Sequence, residues 1–167
     1  ECEHMTIKTE LSVRGLGAAI KQVESYKMQL LTKTDALIDT LVKYGVEVAK
    51  TQVVELGAVE SGGLLSSIGG YFDASSHTGI IQADVDYAVY IEFGTGIVGK
   101  GNPHPMAGPQ GWVYDINDHG EAGWVYWDDY MGGFRWTKGI VERPFMYNTI
   151  LALQQKCYKI ATEVFGA

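Results

Sequence analysis

Cysteine is scarce in this chain of 167 residues: Cys2 and Cys157 are the only two. Cys2 lies in "ECEHM", where residues 1–4 read as a cloning remnant ahead of a native Met5 and are set aside from fold reasoning. One cysteine then remains, which excludes a disulfide framework and makes a reducing compartment the default expectation. Cys157 falls on a helical stripe and is expected to be a small buried core residue. Long hydrophobic runs are missing too. No apolar stretch approaches 18 residues and there is no signal-peptide pattern, so the expectation is a soluble protein without a membrane partner, retained in the cell that makes it. Positive charge is also in short supply: 13 Lys and Arg against 20 Asp and Glu give a net charge of −7. A duplex-DNA groove wants clustered Lys and Arg. The densest basic concentration, Lys21–Lys27–Lys33, is spread along a helical pattern with Glu24 and Asp35 nearby. Such a chain near DNA would repel it rather than grip it.

What is present is ordinary globular composition, 46% hydrophobic and 20% charged, enough for one domain over residues 5–167. Apolar residues recur every three or four positions from Leu16 through Ile20, Val23, Leu30, Leu37, Leu41, Val48 and Val53 to Leu56. That spacing predicts amphipathic helix over 14–57. Gly45 is the expected break, giving helices over 14–44 and 46–57. Strands and loops are expected over 64–138. "LLSSIGGYFD" and "GIIQADVD" read as strands joined by a turn at "ASSHTG", while Tyr87, Tyr90 and Ile91 favour helix for "YAVYIEF". Residues 94–111, rich in glycine and holding Pro103, Pro105 and Pro109, read as loop. "GWVYDI", "GWVYWDD" and "FRWTKG" place aromatics at alternate positions: Trp112/Tyr114, Trp124/Tyr126 and Phe134/Trp136. A period of two predicts β-segments with an aromatic face. Pro144 at a first helical position and Gly166 at a C′ position bracket a C-terminal helix over 144–165. The class is therefore α+β: a long N-terminal helical segment, a small antiparallel sheet with an aromatic face, and a C-terminal helix packed on it.

Four constellations could carry chemistry. Gly94, Gly96 and Gly99 spell G-x-G-x-x-G, and Gly94, Gly99 and Lys100 spell a Walker A that has Gly101 in place of its hydroxyl residue. Both motifs need a helix directly after the glycines, and "KGNPHPMAGPQG" does not read as one. Asp115, Asp118, His119 and Glu121 share one turn, with His77 and His104 elsewhere, a donor set that could hold a metal. A hairpin turn rich in Asn, Asp and Gly accounts for the same residues. No nucleophile stands in a G-x-S-x-G or comparable context, so no catalytic residue and no cofactor is expected. The tryptophans and tyrosines between 112 and 136 suit a sheet core or a protein interface; stacking on single-stranded nucleic acid is a weaker fit, with only Arg135 and Lys138 nearby.

The run from "DYAVYIEFGTG" through "NPHP", "GWVYDI", "HGEAGWVYWDD" and "GGFRWTKGIVERPFMYNTI" resembles a family of long-tailed bacteriophage and prophage tail-component, or neck/tail-completion, proteins. The match rests on Tyr87, Ala88, Glu92–Gly96, Gly111–Tyr114, Gly123–Tyr126, Trp136–Gly139 and Arg143–Thr149. It covers residues 85–165, and "RPFMYNT" after "WTKG" is its most specific piece. The resemblance implies a non-enzymatic virion protein of the head–tail junction, assembled in the bacterial host cytoplasm. Such proteins form a homo-oligomeric ring between connector and tail-tube or terminator proteins, with DNA passing without sequence-specific contact, and here the 94–111 loop and the 112–138 hairpin region are expected to dock against those neighbours. The residues expected at its interfaces are Gly94, Thr95, Gly96, Pro103, His104, Pro105, Trp112, Trp124, Arg135 and Trp136, with Pro144, Phe145 and Tyr147 structural. The alternative is a nucleotide- or metal-dependent enzyme using the Gly94–Lys100 loop and the Asp115–Glu121 turn.

Overall fold

A computed structural model of the chain describes residues 12–59 and 62–166; the segment 1–4 set aside above lies outside them. The fold is α+β. The first element is one helix, α1 (Val13–Glu55), ~65 Å long at 1.5 Å per residue. Ser12 opens it with its side chain accepting from the Gly15 amide. The expected break at Gly45 does not occur. Gly45 is buried in mid-helix, and a Cβ there would overlap Cδ1 of Ile81 and sit 3.2 Å from Leu153. The glycine serves close packing of neighbouring elements against α1, and that gain outweighs its poor helix propensity.

After α1 a short helix, α2 (Gly63–Ser67), leads into a hairpin of β1 (Ile68–Asp73) and β2 (Thr78–Ala83). "LLSS" is thus helical where strand was expected, and the strand begins at Ile68. The two strands pair antiparallel with Tyr71 opposite Ile80. The hairpin lies flat on α1 because Gly70 and Gly79 present no side chain there. A Cβ on Gly70 would meet Val42 and Val46 within 3 Å, and one on Gly79 would meet Val42 and Ile38.

The C-terminal helix α6 (Phe145–Phe165) packs against α1 and closes the core of Ala49, Val53, Ala58, Leu64, Ile68, Ala88 and Phe145. Pro144 stands one position earlier than expected, as the residue before the helix, and Gly166 ends it with right-handed backbone. The inward line of α6 runs Phe145, Thr149, Ile160. Leu153, which reaches Gly45, and Ile160 face inward, but Cys157 is exposed, not buried as expected.

Residues 94–111 are not an unstructured loop. After α3 (Ala88–Phe93) come two short helices, α4 (Gly96–Gly101) and α5 (Ala107–Gln110). "GWVYDI" forms no strand. Its aromatic alternation is satisfied by the preceding segment instead, as described below. A single turn of 3₁₀ helix at Gly120–Ala122 precedes β3 (Trp124–Asp128) and β4 (Gly133–Thr137), a second antiparallel hairpin forming its own two-stranded sheet.

Candidate functional site

Two kinds of structure carry functional candidates: a densely bonded centre built around Glu92, and apolar surfaces that nothing among the described residues covers.

The centre begins with a missing cap. The first turn of α6 contains no acidic residue, and Pro144 supplies no side-chain hydrogen bond to its amides. Glu92, on α3, supplies one from 54 residues away. Met146 N donates to its Oε2 at 2.8 Å and Tyr147 N to its Oε1 at 2.9 Å. A carboxylate at a helix N-terminus satisfies unpaired amides and favours the helix dipole. His104 is the third partner, with Nε2 at 3.2 Å from Glu92 Oε1. The Met106 amide donates to His104 Nδ1 at 3.0 Å, so that nitrogen is an acceptor and Nε2 is the one that donates to Glu92. Both side chains are buried. Phe93 stacks on Trp112, with ring centroids 5.0 Å apart, and packs tilted against His104 at 4.4 Å, and the Trp112 indole N–H donates to Gly94 O. The His104 amide donates to the Tyr114 hydroxyl. Trp112 and Tyr114 therefore do share a side, but what they face is the 93–104 segment. An open groove of about 400 Å³ lies over this centre, walled by Val89, Phe93, Met106 and Ile150.

The glycine motif is engaged with the same centre. The Gly96 amide donates to Tyr114 O, Gly99 N to Thr95 O, Thr95 N to Ile140 O and Gly94 N to Tyr90 O. Four of the amides a phosphate cradle would offer thus donate to partners within the chain. The glycines instead admit backbone. A Cβ on Gly94 would stand 2.8 Å from Ile140 O, and one on Gly96 (φ +61) would overlap Lys138 O. Gly139 (φ +107) closes the approach from the other side against Thr95 O. Segments 94–99 and 138–142 thus run in backbone contact that only glycine allows.

The Asp115–Glu121 turn is also internally bonded. Asp115 accepts from the Gly120 and His119 amides at 2.7 and 3.0 Å, which holds its carboxyl below the usual carboxylate range. Glu121 pairs with Lys138 at 3.1 Å, and Asp118 takes a left-handed backbone suited to its turn. Among the described residues no group of three His, Cys, Asp or Glu is arranged to hold a metal ion, and no helix is long and apolar enough to cross a membrane.

The residues expected at interfaces divide between these environments. Gly94, Gly96 and His104 are buried within the chain, and Thr95 is half-buried with its Oγ1 accepting from Ile140 N. Trp112 and Trp124 are half-buried; Trp124 packs on His119 with ring centroids 5.0 Å apart. Pro103, Pro105, Arg135 and Trp136 are exposed, with Arg135 bonded to Asp128 at 3.0 Å and the Trp136 indole donating to Ala122 O.

The hairpin register exposes a surface of which the residue-by-residue reading picked out only Trp136. Val125 pairs with Trp136 and Trp127 with Phe134, so these four share one face, opposite Trp124 and Tyr126. They are 61%, 59%, 52% and 77% exposed respectively. The signal was present in "WVYWDDYMGGFRWT", but it needs the pairing register, not alternation within each strand. Glu92 was missed because an acid in an apolar run gives no hint of its distant partners. Compared with models of known families, with curated proteins and with solved structures, the chain matches none.

Proposed function

We propose that this chain is a non-enzymatic assembly subunit of the phage head–tail junction, acting by docking against copies of itself and against the connector and tail proteins on either side. The observation that carries an assembly role is the β3–β4 face. Four large apolar side chains stand on one small exposed surface, an arrangement monomeric proteins rarely leave uncovered and interfaces favour. The phage assignment is supported by the family resemblance of residues 85–165. The residues of that resemblance include Glu92, Gly94, Gly96, Gly139 and Phe145, which build the rigid centre that carries the hairpin. In this reading the centre is scaffold, and the hairpin and α1 are the working surfaces.

The test is a phage or prophage whose copy of the gene carries Trp127→Ser with Phe134→Ser. The expected result is DNA-filled heads and separate tails by electron microscopy, with infectivity lost and restored by the wild-type gene in trans. Normal joined particles from the variant would refute the role.

A further inference from the structure

We propose that the free N-terminal part of α1 and the apolar face of the β3–β4 hairpin are two halves of one interface, formed between successive copies of this chain. The proposal deepens the assembly reading and rests on it in taking a second copy as the occupant.

α1 is buried only over its C-terminal half, at Val42, Gly45, Ala49 and Val53, where α6 and the first hairpin pack. From residue 20 to residue 30 every position is exposed. Leu16, Ile20 and Val23, at 59%, 52% and 49% exposure, recur at intervals of four and three and so form one stripe. The stripe is about 10 Å long at helical rise, and five-residue strands run ~17 Å, so the hairpin face is long enough to receive it.

Charge selects the pairing. In a chain of net charge −7, the arm is basic: Arg14, Lys21 and Lys27 stand against Glu24. The hairpin and its approach are acidic. Arg135 is bonded to Asp128, Lys138 to Glu121, and Asp115 is held by His119 and two turn amides, which leaves Asp118 and Asp129 in excess. Arm against arm would bring Lys21 and Lys27 near their own copies, and hairpin against hairpin would gather the acids. Arm against hairpin matches both apolar surface and charge. Because the two surfaces differ, the contact is head-to-tail, and repeating it closes a ring or extends a filament.

Sedimentation velocity on the purified full chain at low salt tests this. Wild type is expected to associate with rising concentration, and added salt to weaken it. Ile20→Glu and Phe134→Ser, each at an exposed position, should be monomeric alone. Mixed in equal amounts they should form dimers and nothing larger, since one sound arm and one sound hairpin remain. Lys27→Glu, which alters only exposed charge, should weaken assembly at low salt while helical circular dichroism is unchanged. A wild type that stays monomeric at millimolar concentration, a single variant that still assembles, or a mixture that stays monomeric overturns the pairing. Loss of infectivity in the hairpin variant alongside any of these would leave the head–tail role standing with a different occupant, so the two readings fail separately.

Discussion

Glu92→Gln puts the buried centre to a quantitative test. The carboxylate accepts three hydrogen bonds, from Met146 N at 2.8 Å, Tyr147 N at 2.9 Å and His104 Nε2 at 3.2 Å. A glutamine of the same shape has one acceptor oxygen and two N–H donors. In its better orientation the oxygen keeps Tyr147 and His104, and the amide nitrogen then faces the Met146 N–H, donor to donor. Losing one charge-assisted bond while leaving a buried donor unsatisfied costs about 1.5–3 kcal/mol. Removing the negative charge from the start of α6 adds up to about 2 kcal/mol in a partly buried setting. The expected loss is about 3 kcal/mol, equivalent to ~6–12 °C in Tm for a domain of this size. Urea denaturation gives the free energy, and faster hydrogen exchange at the Met146 and Tyr147 amides localises it. A loss below about 0.5 kcal/mol, the range of ordinary surface substitutions, would refute the capping role.

Gly96→Ala should destabilise by at least about 2 kcal/mol in thermal or urea unfolding, because a Cβ at φ +61 is strained and overlaps Lys138 O; a neutral result would mean the two backbone segments can part freely. Asp73 accepts from the Ser75 and Ser76 hydroxyls and the Ser75 amide, which lowers its pKa to about 2 from 3.8. A depressed folded-state pKa stabilises above the unfolded value and loses that contribution as pH falls through the folded one. The stability gap between wild type and Asp73→Asn should therefore be present at neutral pH and close between pH 3.8 and about 2, as urea unfolding across that window would show; a gap constant across it would refute the assignment. Cys157→Ser should change stability by less than about 0.5 kcal/mol, as expected at an exposed position, where a core cysteine would cost more.

Periodic elements were legible in the sequence because their pattern is set by local burial. The spacing that predicted helix over 14–57 and 144–165 corresponds to α1 and α6, and the turn signals at "ASSHTG" and "YMGG" lie between paired strands. Glycine was the main source of error, because one residue answers two different demands. At Gly45 propensity argues for a break, yet the residue is there for contact with Ile81 and Leu153, which lie far along the chain. At 94–99 the glycines read as pliability, but they are where backbone meets backbone across more than forty residues. Cys157 shows the limit of stripe counting. A helix turns 100° per residue, so Thr149 and Ile160 face inward while Cys157, three residues before Ile160, stands on the solvent side of the same face. Glu92 and the four-residue hairpin face depend on distant pairing, which no local window contains.

Stability and assembly should be separable in this molecule. The Glu92 centre, the glycine contacts and the α1–α6 core involve buried groups with internal partners. The α1 arm and the β3–β4 face consist of groups about half or more exposed, whose contacts within the chain are few: Trp127 meets Phe134 edge-on across the strands and the Trp136 indole donates to Ala122 O. A large apolar side chain gains ~1.5–3 kcal/mol only when it leaves water, so the exposed part of these residues would add stability only in a complex that covers it. Ile20→Glu should then leave monomer unfolding within about 0.5 kcal/mol of wild type, and Phe134→Ser, which loses its edge-on contact with Trp127, within about 1 kcal/mol, while both abolish association. Glu92→Gln and Gly96→Ala should do the reverse, lowering stability while still associating at temperatures where they remain folded. If instead both groups of substitutions lower monomer stability together, the arm and hairpin are packed within the chain in solution, and the division between scaffold and working surface is wrong.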